Sequence, residues 1–231
     1  MKTFAENIIN YYKQLQLEED LGNDIQQINP YQNNPLIEKT VKKFYTKYFN
    51  DNRKRQLIIG INPGRLGVGV TGIPFTDTKR LEEDCGIKIP NIKSHEPSSI
   101  FVYQMIEKYG GAKKFYQDFY VNSVCPVGFI RKNKKENWVN CNYYDFDWLF
   151  EKLENFIVTQ LKEQIAFGID RSTCFVLGKK NAKYLERINA KEKLFDKIIV
   201  FNHPRYIVQY KSKQSDFFAE NYALALQQKA N

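Results

Sequence analysis

The stretch of sequence that decides the fold is Leu57-Ile-Ile-Gly-Ile-Asn-Pro-Gly64, where a short apolar run gives way to Asn, Pro and Gly. Such a run is typical of a buried strand that ends in an irregular loop. Open α/β sheets bind their ligands at the carboxyl ends of their strands. Asn62 stands where this strand ends, so it is a candidate for chemistry.

A second strand end of this kind lies near the carboxyl end of the chain. The apolar run 198–201 passes directly into Asn202-His-Pro-Arg205. His203 is one of only two histidines in the chain. A histidine at a strand end is either a structural residue or a group that donates or accepts protons. If both strands belong to one parallel sheet, the amide of Asn62 and the imidazole of His203 share one small pocket.

The pattern of the remaining chain predicts the fold class. Two further apolar runs, 119–124 and 174–178, predict strands, and helical periodicity is seen at 3–16, 36–49, 146–167 and 215–228. Strands separated by helices are typical of a parallel sheet between helical layers. We therefore expect an α/β protein, a three-layer α/β/α sandwich around a four-stranded parallel sheet. We expect a single domain over residues 1–231, with residues 1–50 as a helical extension packed on it.

The composition of the chain indicates its size class and the kind of partner that its charge favours. The chain has 231 residues, 42% of them hydrophobic, which suffices for one sizeable core. Its net charge is +9, from 35 Lys and Arg against 26 Asp and Glu. That balance favours a polyanionic partner such as nucleic acid, and the alternative is a surface that is merely rich in lysine.

Two classes of protein are disfavoured by what the sequence does not contain. No run approaches the ~18 apolar residues of a membrane span, so we expect a soluble, cytoplasmic protein. The four cysteines form no CxxC pair and only two histidines are available. We therefore expect no metal and no cofactor.

The loop after the first strand, residues 62–78, is rich in glycine. Gly64 and its neighbours let the backbone approach a ligand closely, and Phe75 offers a flat apolar face to an aromatic ring. The alternative is that Asn-Pro-Gly is only a turn. No Gly-Lys-Ser/Thr follows, which excludes a P-loop, and no paired carboxylates stand at strand ends, which disfavours an ordinary glycoside hydrolase.

Basic and aromatic residues are interleaved in two predicted loops. Arg205, Tyr206 and Lys211 follow the second strand end, while Arg131 and Lys132 open a basic loop. Residues of these types bind phosphates and stack on bases. The alternative is that both segments are exposed loops of mixed composition.

Three segments, taken in chain order, carry a resemblance to a known family. They are 60–64 together with Thr71-Gly-Ile-Pro-Phe75, then Asn122-Ser-Val-Cys-Pro126, then Asn202-His-Pro-Arg205. Together they resemble the uracil-DNA glycosylase superfamily, above all its single-strand-selective monofunctional branch and the bacterial relatives of that branch. The resemblance runs from residue 57 to about residue 211 and finds no motif in residues 1–50. It implies that DNA crosses the carboxyl ends of four parallel strands.

The resemblance also implies roles for individual residues. Asn62 would position the attacking water, Phe75 would stack on the flipped base, and His203 would donate a hydrogen bond toward uracil O2. An asparagine of the middle loop would bind the uracil edge, with Asn140 as the first candidate and Asn142 as the second.

In the segment after His203 the chain departs from the family pattern. The family usually has His-Pro-Ser there, whereas this chain passes from Pro204 straight to Arg205 and Tyr206. The resemblance implies that these two residues belong to the loop that enters the duplex and supports base flipping.

The resulting expectation is a monofunctional DNA glycosylase of base excision repair. It would hydrolyse the N-glycosidic bond of uracil or a related damaged pyrimidine in single- or double-stranded DNA, as a monomer. Two alternatives remain open: a non-catalytic nucleic-acid-binding protein on the same fold, and a hydrolase of small nucleosides or nucleotides.

Overall fold

The computed structural model describes residues 2–230. The strands are β1 (Ile25–Ile28), β2 (Arg55–Gly60), β3 (Phe119–Ser123), β4 (Gly128–Lys132), β5 (Trp138–Cys141), β6 (Ile169–Leu177) and β7 (Ile198–Phe201). The helices are α1 (Phe4–Gln14), α2 (Pro35–Phe49), α3 (Val68–Thr71), α4 (Thr78–Glu83), α5 (Pro97–Tyr109), α6 (Ala112–Asp118), α7 (Asp147–Ile165), α8 (Lys179–Glu192), α9 (Pro204–Tyr210) and α10 (Ser215–Ala230). No helix among these residues is long and apolar enough to cross a membrane.

The central sheet has four strands in the order β3-β2-β6-β7, and every neighbouring pair is parallel. Ile58 of β2 lies opposite Val121 of β3 and Phe175 of β6. All six residues of β2 are buried, as expected for a strand covered by helices on both faces. The predicted α/β class with a four-stranded parallel sheet is therefore confirmed.

The segment 131–139, predicted as a basic loop, is instead part of a β-hairpin. β4 and β5 pair antiparallel, with Arg131 opposite Val139, and β1 pairs with the other edge of β4. This three-stranded antiparallel sheet was missed because its strands have four or five residues each and include Gln in β1, Arg and Lys in β4 and Asn in β5, so that they do not read as apolar strands. Residues 1–50 are accordingly not all helical, since β1 lies among them.

The residues after His203 were also predicted as a loop, and they form α9 instead. His203 is the N-cap residue, and Pro204 occupies the first helical turn. Proline suits that position because its missing N–H has no partner in a helix anyway. The loop 62–78 likewise contains the short helix α3.

A buried arginine ties the N-terminal helices to the central sheet. Arg55, the first residue of β2, lies over the rings of Phe4 and Phe49 at 4.8 and 4.7 Å. Its guanidinium donates to both carboxylate oxygens of Asp51, at 2.9 and 3.0 Å. The charge is therefore paired although the side chain is buried, and α1 and α2 are held against the amino end of β2.

Candidate active site

A cavity of about 530 Å³ opens where the parallel strands end. Its walls come from the segments that follow β2 and β7, from the end of β3, from β5 and the residue after it, and from the start of α5. Seven of the residues predicted from the sequence line it: Asn62, Gly64, Phe75, Asn140, Asn142, His203 and Arg205. The two strand ends that the sequence singled out are thus brought together in space.

The amide of Asn62 is held at both ends by the last residue of β5 and the chain that follows it. Its Oδ1 accepts a hydrogen bond from the Tyr143 N–H at 3.0 Å, and its Nδ2 donates to the Cys141 carbonyl at 3.2 Å. These two partners fix which end of the amide is oxygen. The Oδ1 atom keeps a second lone pair for another donor.

A buried network supports this arrangement from behind. The Tyr143 hydroxyl donates to Asn181 Oδ1 at 2.8 Å, and Asn181 Nδ2 donates to the Gly60 carbonyl at 3.0 Å. Asn181 and Tyr143 are both fully buried. The end of β5 is therefore fixed relative to the end of β2, which restricts the position of Asn62.

Phe75 has an unusual backbone conformation. Its φ is +51°, a left-handed value that is rare for a bulky residue and is retained when surrounding contacts impose it. The ring packs directly on Gly60, where an added Cβ would lie 2.8 Å from Cζ. Its centroid is 5.9 Å from that of the His203 ring, so the phenyl and imidazole groups lie on the same cavity.

The protonation state of His203 follows from its position at the start of α9. Its Nδ1 accepts a hydrogen bond from the Arg205 N–H at 3.2 Å, so a neutral ring carries its proton on Nε2. Burial, with a smaller contribution from the Arg205 charge, lowers the pKa of His203 to about 4. The ring is therefore a neutral donor at physiological pH.

The two candidate base-binding asparagines differ in how their amides are engaged. Asn142 Nδ2 donates to Asp145 Oδ1 at 3.2 Å, and its backbone N–H donates to the other oxygen of that carboxylate. Asn140 Oδ1 accepts a long hydrogen bond of 3.4 Å from the Arg65 N–H. The amide of Asn140 is exposed and is the less constrained of the two.

Sequence reasoning missed two ionisable residues that line the cavity, Arg65 and Glu96. Burial, and secondarily the charge of Asp77, raises the pKa of the Glu96 carboxyl to about 7, while Arg205 opposes the shift. The sequence places this residue in a polar segment that begins a helix, which is typical of a solvated side chain. Its burial depends on contacts with the loop 62–78, which is distant in the chain.

Comparison with known proteins identifies the family. The profile described as the uracil DNA glycosylase superfamily matches residues 46–227. The chain belongs to the uracil-DNA glycosylase superfamily. The crystal structure of wild-type Pedobacter heparinus SMUG2 is similar, with a TM-score of 0.95 at 43% identity, and the match covers 98% of both chains. No curated protein matches the chain.

The structural likeness extends beyond the motifs that carried the sequence resemblance. The match with SMUG2 covers 98% of both chains. It therefore includes nearly all of residues 1–50, for which the sequence offered no motif. The N-terminal helices and β1 are thus shared with SMUG2. This part of the chain is a feature common to both proteins.

Four of the predicted DNA-binding residues of this superfamily member lie outside the cavity wall. Arg131 and Lys132 are at the end of β4, in the hairpin whose second strand contains Asn140. Tyr206 is on α9 and Lys211 directly follows it. All four are at least partly accessible to solvent. Within residues 2–230, no group of three or more His, Cys, Asp or Glu side chains is arranged to hold a metal ion.

Proposed function

We propose that this protein is a monofunctional DNA glycosylase that hydrolyses the N-glycosidic bond of uracil or a related damaged pyrimidine in DNA. The observation that carries the proposal is the convergence of Asn62, Phe75 and His203 on one cavity, with the amide held at both ends and the imidazole neutral. Membership of the uracil-DNA glycosylase superfamily supports DNA as the substrate.

The chemistry needs an oriented water and a donor to the departing base. Cleavage of the N-glycosidic bond leaves positive charge on the sugar and negative charge on the base. The free lone pair of Asn62 Oδ1 accepts a hydrogen from water and orients it toward the sugar carbon. The Nε2–H of His203 donates to a carbonyl oxygen of the base as negative charge develops there.

A neutral imidazole suits this second role. With a pKa of about 4, His203 needs no proton uptake before the reaction, and its N–H is already placed by the N-cap hydrogen bond. A preorganised donor in a site with little water stabilises a developing anion without reorganisation. Phe75 supplies the flat surface against which the base ring lies.

The edge of the base would be bound by Asn140 rather than Asn142. We expect Asn140→Ala to lower kcat/KM for uracil excision by about fivefold to 150-fold, which corresponds to the cost of about 1–3 kcal/mol for leaving a hydrogen-bonding group without its partner. Asn142→Ala is expected to change it less, since that amide is already engaged by Asp145. Comparing kcat/KM of the two variants checks the assignment, which is wrong if Asn142→Ala has the larger effect.

The DNA backbone would pass over the hairpin and α9. We expect Arg131→Ala and Lys211→Ala each to reduce the slope of log Kd against log salt concentration by about 0.7–0.9, the value for one lost phosphate contact. Tyr206, 44% exposed, is expected to stack on a base, and Arg205 to lie at the cavity mouth. Lys54→Ala is a matched control, since Lys54 precedes β2 at the opposite end of the sheet. Unchanged slopes for both test variants would place the DNA elsewhere.

An assay for abasic sites tests the proposal. Oligonucleotides containing one uracil, single- and double-stranded, are incubated with the protein and then cleaved at abasic sites with alkali. We expect cleavage at the uracil position. If neither substrate is cleaved while DNA is bound with a steep salt dependence, the protein is a binding module. If only free nucleosides are hydrolysed, it is a nucleoside hydrolase.

A further inference from the structure

One polar group of the cavity has no role in the chemistry described so far. Glu96 lines the cavity immediately before α5. Its Oε2 is buried and has no hydrogen-bond partner among the described residues. A buried polar atom without a partner is costly, and native proteins rarely keep one without a reason. The carboxyl of this cavity-lining residue therefore has hydrogen-bonding capacity that no described residue uses.

The backbone of Glu96 is held in place by hydrogen bonds, and its carboxyl packs on a glycine. The Glu96 N–H donates to Asp77 Oδ2 at 3.2 Å, and the Glu96 carbonyl accepts from both the N–H and the hydroxyl of Ser99 at 2.9 and 2.7 Å. The carboxyl packs against Gly67, where an added Cβ would collide with Oε2. The absence of a side chain at Gly67 thus leaves the space that the carboxyl occupies.

The charges around Glu96 favour its neutral form. The carboxylate of Asp77 is buried beside it, and this group is itself approached by Arg80 at 3.7 Å and His95 at 3.9 Å. The charge of Arg205 acts in the opposite direction and favours the ionised form. Burial and Asp77 outweigh Arg205, so the pKa of Glu96 is raised to about 7. Glu96 is therefore largely protonated below neutral pH.

We propose that Glu96 binds the flipped nucleotide as a neutral acid, donating its carboxyl proton in a hydrogen bond to an oxygen of that nucleotide. The proton stays on Glu96 and no covalent bond changes. The inference rests on the proposed function, which supplies the nucleotide. The acceptor is either a carbonyl oxygen of the base or an oxygen of the adjacent phosphate, because both accept the same hydrogen bond.

An ionised Glu96 would oppose either partner. A carboxylate in this buried position would repel a phosphate, and it would equally repel the negative charge that develops on the departing base. Binding and excision would therefore both weaken once Glu96 loses its proton. His203 does not produce the same pH dependence, because its pKa of about 4 lies far below this range.

The first test is the pH profile of kcat/KM for excision. We expect the wild-type value to fall about tenfold for each pH unit above about pH 7, as for loss of one essential proton. Glu96→Gln, which keeps an N–H donor and cannot ionise, is expected to remain level over this range. Glu83→Gln, a change of the same type at an exposed position of α4, should retain the wild-type fall. A fall that persists in Glu96→Gln would overturn the proposal.

Asp77→Asn is a second variant for the case in which Glu96→Gln does not fold. Removing the Asp77 charge lowers the pKa of Glu96, so the fall in kcat/KM should begin at a lower pH while the maximum is retained within about tenfold. If the fall stays at the wild-type pH, Glu96 is not the group that titrates, and the proposal is wrong.

Binding measurements separate the two acceptors and do not depend on catalysis. The probes are free uracil and an oligonucleotide with a tetrahydrofuran abasic site, each titrated above and below about pH 7. Weaker binding at high pH in the wild type but not in Glu96→Gln supports the proposal. If this pH-dependent loss of binding is seen with free uracil, the acceptor of the hydrogen bond is the base. If it is seen with the abasic DNA, the acceptor is a phosphate. pH-independent binding of both probes would overturn the proposal. If a probe shows the effect while no substrate is excised, the proposed function fails and Glu96 keeps its role.

Discussion

Asn62→Ala is expected to slow excision by about 100- to 1,000-fold, the usual cost of losing one preorganised group that positions the reaction. The methyl side chain leaves no acceptor to orient the attacking water. It also leaves the Tyr143 N–H and the Cys141 carbonyl without the partners they have in the wild type. The measurement is the single-turnover rate on uracil-containing DNA, with the melting temperature recorded in parallel.

A matched control separates the catalytic effect from the structural one. The amide of Asn189 is also held at both ends by backbone groups, accepting from the Phe195 N–H at 2.8 Å and donating to the Phe195 carbonyl at 2.9 Å. Asn189→Ala therefore removes the same two kinds of hydrogen bond away from the cavity, at a comparable cost of about 1–3 kcal/mol. We expect it to excise at the wild-type rate. An equal loss of activity in both variants would mean that Asn62 is only structural.

His203→Ala is expected to lower the rate by a similar factor, about 100- to 1,000-fold, because it removes the donor to the developing base anion. The loss should appear in the chemical step rather than in DNA affinity, since the hydrogen bond strengthens only as charge develops. His203→Gln, which offers an N–H at a similar reach, is expected to recover part of the rate. An unchanged single-turnover rate in His203→Ala would contradict the assignment.

The charge state of His203 can be measured directly. The chain has two histidines, so His95→Gln removes one pair of imidazole nitrogen signals and assigns the other. We expect the remaining ring to be neutral at pH 7, with the proton on Nε2 and a pKa near 4. A ring that stays protonated through pH 7, with a pKa above the ordinary value of about 6.5 for histidine, would show an imidazolium donor instead.

The parts of the fold that could be predicted are those whose signal is local. The run before Asn62 is apolar throughout because β2 is buried on both faces, and that pattern is present in the sequence itself. The long helices α2 and α7 show their periodicity in the same way. The antiparallel sheet gave no such signal, because β1, β4 and β5 are short and β1 is about 100 residues from its partner β4.

In the candidate site, too, the residues that could be predicted are those whose signal is local in the sequence. A strand end is a local feature, so Asn62 and His203 could be proposed from the sequence alone. The burial of Glu96 is not local, because it depends on Gly67 and Asp77, both from the loop 62–78. A charged residue in a polar segment is ordinarily solvated, and nothing in its neighbours along the chain indicates otherwise.

The sequence by itself determined that the chain alternates strands with helices and that polar residues stand at two strand ends, since hydrophobic periodicity and turn residues are properties of neighbouring positions. Only the tertiary structure decided how the side chains of those residues are oriented and protonated. The N-cap hydrogen bond sets the proton of His203 on Nε2, and the backbone after β5 fixes the amide of Asn62. The physical reason is that protonation and side-chain orientation depend on burial and on hydrogen-bond partners. For Asn62 and Glu96 those partners come from distant parts of the chain.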